Sequence, residues 1–96
     1  MRAEIRRWKE RRNGELGKTE YTGLFFSIEG SPIIISRLSH GLRVLRLTDQ
    51  SRYEFESVPG REVEISDEFV NEALQCLASD EKFQAQIPLY EDLIQG

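Results

Sequence analysis

The stretch between residues 24 and 65 constrains this chain most. Its apolar residues recur at every second position in short runs broken by turn chemistry, the period of strands rather than helices. Five runs fit: 24–28, 33–36, 42–47, 52–58 and 62–65. In the first, Leu24, Phe26 and Ile28 point one way, and Glu29-Gly30-Ser31-Pro32 follows as a turn. Ile33-Ile34-Ile35 is apolar on both faces and β-branched throughout, which predicts a central strand covered on both sides. Thr48-Asp49-Gln50-Ser51 fits a four-residue hairpin turn that sets Leu47 opposite Arg52. One face then collects Leu42, Val44, Tyr53 and Phe55, and the other Arg43, Leu45, Leu47, Glu54 and Glu56.

Pro59-Gly60-Arg61 reads as a second hairpin, of three residues, with Phe55 opposite Ile65 and Glu56 opposite Glu64. A two-residue loop would mix apolar and acidic side chains on both faces, which a period of two penalises. The three-residue register gathers Glu54, Glu56, Glu62 and Glu64 beside Leu45, Leu47 and Val58. Such a mixed face wants basic and apolar cover.

After the strands comes a helix. Ser66 supplies an N-cap acceptor, and Asp67 and Glu68 place carboxylates in the first turn, where the helix dipole favours them. Phe69, Val70, Ala73, Leu74, Leu77 and Ala78 follow at helical spacing and should pack on the sheet. Pro88 ends regular structure, and Leu89, Tyr90, Leu93 and Ile94 form a small apolar cluster in an acidic tail, suited to the core or to a partner groove.

Before the strands the sequence is basic. Residues 1–18 hold seven basic and three acidic groups, while residues 62–96 hold nine acidic groups and only Lys82. Good helix formers run from Arg2 to Arg12, with Ile5 and Trp8 three apart, and Asn13-Gly14 reads as their end. The apolar stripe is narrow for a free helix. Residues 1–18 are therefore expected to be a basic arm or short helix, ordered when docked, ahead of a single domain at 19–96. Either the arm meets an acidic partner, or the protein's own acidic surface neutralises it.

Composition narrows the function classes. A 96-residue chain with 39% hydrophobic residues suits one small domain with a modest core. Cys76 is the single cysteine, so no internal disulfide forms, and with one histidine no tetrahedral zinc site is expected. No apolar run reaches the roughly 20 residues of a membrane span, and the basic N-terminus lacks the apolar core of a secretory signal. The expected setting is soluble and cytoplasmic. His40 sits in a polar loop beside Ser39, and no general acid–base pair or phosphate-binding glycine loop is legible. The expectation is a non-enzyme with no cofactor.

Arg7 and Arg11 have the Arg-x-x-x-Arg spacing of PilZ domains, and residues 36–42 are similar to the polar turn of that family. Arg37 stands where the family has an acidic or amide residue, and Gly41 comes one residue early. The resemblance spans a dozen residues and implies cyclic di-GMP as a ligand, held by Arg7, Arg11 and Ser39.

The fold expected is α+β: an antiparallel sheet of four to five strands over about residues 22–65, packed by a helix over about 67–79. The function expected is a small non-catalytic protein-binding adaptor or regulator, possible inhibitors included. It would act through Arg6, Arg7, Trp8, Arg11 and Arg12 of the arm and through Leu45 and Leu47 of the mixed face. The alternative is a small-ligand or nucleic-acid module, including a degenerate PilZ-like one. Arginines with an interleaved tryptophan suit nucleic acid, but the acidic remainder, with an overall pI near 5.0, would repel it.

Overall fold

A computed structural model describes residues 1–38, 41–56 and 60–79 of the chain. These residues form an antiparallel sheet of seven strand segments and one helix: β1 (Arg2–Arg12), β2 (Glu15–Leu16), β3 (Tyr21–Ile28), β4 (Ser31–Leu38), β5 (Gly41–Arg46), β6 (Tyr53–Phe55), β7 (Arg61–Glu64) and α1 (Asp67–Ser79).

The expected arm is instead the strand on which the sheet is built. β1 pairs with β3 along one edge, from Glu4↔Phe25 to Trp8↔Tyr21. Along its other edge it pairs with β6 at Trp8↔Phe55 and with β7 at Ile5↔Arg61. Its apolar residues are split between faces, which hid its period. Ala3 and Ile5 face one core cluster and Trp8 faces another, so the spacing mimics a helical stripe. Asn13-Gly14 does not end a helix. With φ of 53° and 80°, both residues lie in the left-handed region, and Arg12 pairs with Glu15 across a two-residue hairpin turn. Asn-Gly suits that turn because both central residues must take positive φ.

The middle strands follow their alternation. β3, β4 and β5 form a meander through Leu24↔Ile35 and Ile35↔Val44. Ile33 and Ile35 enter one cluster and Ile34 the other, and all three are fully buried, as a strand apolar on both faces requires. The two hairpins expected next do not form. β5 pairs with β4, while the chain passes through a 3-10 turn at Gln50–Arg52 and β6 pairs with β1. β6 and β7 likewise do not pair with each other. They lie end to end along β1, β6 opposite Trp8, Lys9 and Glu10 and β7 opposite Arg2 to Ile5. Local turn chemistry cannot report such a pairing, because the partner strand lies some fifty positions earlier.

This connection forces the sheet to curl. In a flat sheet, Arg46 and Tyr53 would sit four strand spacings and seven residues apart, about 30 Å along the diagonal. Seven residues of chain reach at most about 25 Å. The sheet therefore wraps, and the 47–52 link crosses the face bearing Trp8, onto which Leu47 is buried.

The opposite face carries the larger core. Ala3, Leu24, Phe26, Ile33, Ile35, Leu42 and Ile65 cluster there with Phe69, Val70 and Ala73 of α1. Ser66 caps the helix: the Phe69 amide donates to Ser66 Oγ at 3.2 Å and the Val70 amide to the Ser66 carbonyl at 3.1 Å. Leu42 and Val44 belong to this cluster, whereas Tyr53 and Phe55 belong to the Trp8 cluster, so the four do not share the face expected of them. Cys76 is half-buried against the helix-side core. Val58, Pro59, Ser39, His40 and the tail residues Phe83, Pro88, Leu89, Tyr90, Leu93 and Ile94 lie outside the described residues.

Candidate functional site

The aromatic face is built by alternation along β1. Arg6, Trp8, Glu10 and Arg12 share that side. Trp8 is 1% exposed and packs with Tyr21, Phe25, Ile34, Leu45, Leu47, Tyr53 and Phe55. Its ring centroid lies 5.8 Å from that of Phe55 and 6.3 Å from that of Tyr21. Arg6 is half-buried, its guanidinium 4.9 Å from the Phe55 centroid and 5.5 Å from that of Phe25. That geometry suits cation–π attraction, so Arg6 belongs to the fold of this face.

Arg43 continues the pattern from β5. Its guanidinium sits 5.5 Å from the Tyr21 centroid and is ion-paired to Glu10. Ser36, directly opposite Arg43, is 1% exposed. Ser36 Oγ, Arg43 Nε and Trp8 Nε1 are buried and have no hydrogen-bond partner among the described residues.

Above this layer, where β1 ends, the curled sheet leaves a depression of about 590 Å³. Glu10, Arg11, Arg12, Asn13, Arg43, Leu45, Arg52 and Tyr53 line it, four arginines against one carboxylate. Glu10 is already engaged by Arg43, and Glu54 holds the Arg11 guanidinium at 2.5 Å. Arg52 lies 3.8 Å from Asp49, whose carboxylate accepts from the Ser51 hydroxyl and amide and is held below the usual range by those bonds. Arg12 is exposed and has no ion pair among the described residues. A second depression of about 320 Å³ adjoins, lined by Glu15, Leu16, Gly17, Lys18, Thr19 and Tyr21, and shares Glu10 and Arg12 with the first. Glu15, without an ion pair among the described residues, sets one carboxylate against Arg12 and Lys18 there.

Burial pushes the Tyr53 phenol above its ordinary value, with the Glu10 carboxylate adding to the shift and Arg43 and Arg52 opposing it. A raised phenol holds its proton longer when folded than unfolded. Its contribution to stability is therefore complete below the ordinary phenol pKa of 10.0 and is lost as pH rises through the raised value. Denaturant unfolding of the parent chain and of Tyr53→Phe, compared at about pH 9 and pH 11, should show the parent losing more stability over that interval. Equal losses would place Tyr53 in water.

The expected site residues are thus divided. Arg11, Arg12 and Leu45 come together in the depression, while Arg6, Trp8 and Leu47 lie in or on the core beneath. Arg7 is exposed on the helix side of β1, away from both depressions. Arg7 and Arg11 stand about 13 Å apart along the strand, and Ser39, the third residue of the PilZ likeness, lies outside the described residues. Glu10, Lys18, Arg43, Arg52 and Tyr53 were not singled out from sequence. Arg43 and Leu45 alternate on one face of β5, a legible signal, but only β1 read as a strand would have brought Glu10 and Arg12 opposite them.

The charge split is partly answered within the molecule. Arg2 lies 3.6 Å from Glu62, the Met1 ammonium 3.0 Å from Glu64, and Arg11 meets Glu54. Among the described residues no cluster of three or more Cys, His, Asp or Glu is placed to hold a metal ion. No helix among them is long and apolar enough to cross a membrane. Comparison of the chain with protein-family models, curated proteins and solved structures finds no match in any of the three.

Proposed function

We propose that the protein is a small non-catalytic protein-binding adaptor or regulator, and that it docks an acidic segment of a partner in the depression at the end of β1. The observation that carries this reading is the lining: four arginines around Leu45 and Tyr53, with Arg12 unpaired among the described residues. Guanidinium forks match carboxylates in bidentate geometry and remain charged at any physiological pH. Tyr53 and Leu45 offer apolar area to the side chains between those carboxylates.

The same lining supports a non-catalytic role. Arginine does not exchange protons near neutrality, and the Glu10 carboxylate is occupied by Arg43. Nucleic acid is less well served. The net charge of -4 opposes a long polyanion, and Trp8, the ring best suited to stacking, is buried.

The test is a titration with a fluorescein-labelled peptide alternating glutamate with leucine and tyrosine. The parent chain should bind it, and an Arg12→Glu/Arg52→Glu variant should bind at least about tenfold more weakly, since like charges then face each other. Both positions are exposed, so the variant should melt as the parent does. Equal affinity for the two chains would overturn the reading.

A further inference from the structure

The two depressions share Glu10 and Arg12, and Arg43 neutralises Glu10. The larger opens toward Arg52 and Tyr53 and the smaller toward Lys18 and Thr19. Arg12 is thus the cation common to both, with Arg52 on one side and Lys18 on the other. We infer that the two form one trough that takes an extended acidic peptide across the end of β1, its carboxylates meeting Arg52, Arg12 and Lys18 in turn. This rests on the reading above and adds the length and direction of the bound segment.

The order of the cations, Arg52, Arg12 and Lys18 along two depressions that share a residue, suits an extended segment lying across both. In an extended segment alternate side chains fall on one side, about 7 Å apart. Three alternate carboxylates would then span about 14 Å, one for each of Arg52, Arg12 and Lys18. The intervening side chains would turn the other way, and one of them at the larger end could reach Leu45 and Tyr53. Arginine and lysine play different parts here: Arg12 and Arg52 can grip a carboxylate with two parallel bonds, whereas Lys18 acts as a point charge.

The experiment is a nitrogen-15 NMR titration of the full chain with two peptides, one of about six residues and one of about three, each alternating glutamate with leucine or tyrosine. The longer peptide should shift the amides of Lys18 and Thr19 together with those of Arg52 and Tyr53, and bind about tenfold more tightly than the shorter. Lys18→Glu should weaken the longer peptide alone, and Arg52→Glu should weaken both. Suppose instead that the two peptides bind equally, Lys18→Glu changes nothing and Arg52→Glu weakens both. Then the continuous trough is overturned while docking in the larger depression stands. If neither peptide binds at low salt, both readings fall. A short single-stranded oligonucleotide that displaces the longer peptide at equimolar concentration would overturn the choice of a protein segment as occupant.

Discussion

Gly23→Ala is expected to cost about 3 kcal/mol or more, a large share of the roughly 5–15 kcal/mol that holds a domain of this size together. A Cβ at Gly23 would stand 2.0 Å from the Ile35 carbonyl oxygen and 2.7 Å from Cη2 of Trp8. The first neighbour is backbone in the adjacent strand, and it cannot yield without breaking the β3–β4 ladder. The second is a ring held between Tyr21 and Phe55. Gly14→Ala is the control. Its Cβ would meet nothing within 4 Å, but its φ of 80° strains any other residue, so the loss should stay at about 1–2 kcal/mol. Urea unfolding of the two variants separates them. A Gly23→Ala loss no larger than that of Gly14→Ala would mean that β3 and β4 are not as close as described.

Trp8→Ala should be comparably severe, about 3–5 kcal/mol, because it empties the centre of the aromatic face. As the single tryptophan, Trp8 also reports on its own burial. Its emission should be blue-shifted and resist iodide in the parent chain, and turn red and quenchable in denaturant. Trp8→Phe should cost less than Trp8→Ala. It keeps most of the ring area and removes an indole N–H that has no acceptor among the described residues. An exposed, readily quenched Trp8 would restore the basic arm that the sequence suggests and remove the basis of the proposed trough, since Glu10 would no longer be held against Arg43.

Trp8 also marks where sequence reasoning stopped. Wherever one face of a strand was apolar along its whole length, as in Leu24, Phe26 and Ile28, the period of two was plain. The triple isoleucine was equally plain, because a strand buried on both faces is apolar throughout. The Ser66 cap needed only local chemistry. β1 fits neither pattern. It is apolar on one side in its first half, at Ala3 and Ile5, and on the other at Trp8, with five arginines along its length. Its one strong strand signal was Asn13-Gly14, a dipeptide that fits a tight hairpin better than a helix end. The pairings of β6 and β7 were out of reach, because nothing within residues 53–64 names a partner at residues 2–10.

The site inherited that blindness. Arg11 and Arg12 stood out by charge and Leu45 by position, but Arg43, Arg52 and Tyr53 gain meaning only when the 47–52 link brings them over the end of β1. Charge counting also overstated how free the basic segment is. Met1, Arg2 and Arg11 already face Glu64, Glu62 and Glu54, and exposed pairs of that kind add little stability.

The position of β1 has a consequence for the order of assembly. During synthesis the first strand emerges first, and the β1–β3–β4–β5 meander can zip from near neighbours as it follows. One flank of β1 must then wait, with its amides and carbonyls unpaired, until residues 53–64 have left the ribosome. Over that interval the nascent chain offers an open β-edge rich in charge: Arg2, Glu4, Arg6, Arg7, Lys9 and Glu10. Charged side chains on an open edge discourage pairing with another chain. Arg2 and Glu10, ion-paired to Glu62 and Arg43 in the finished molecule, thus belong to the charges that guard it while it is half made.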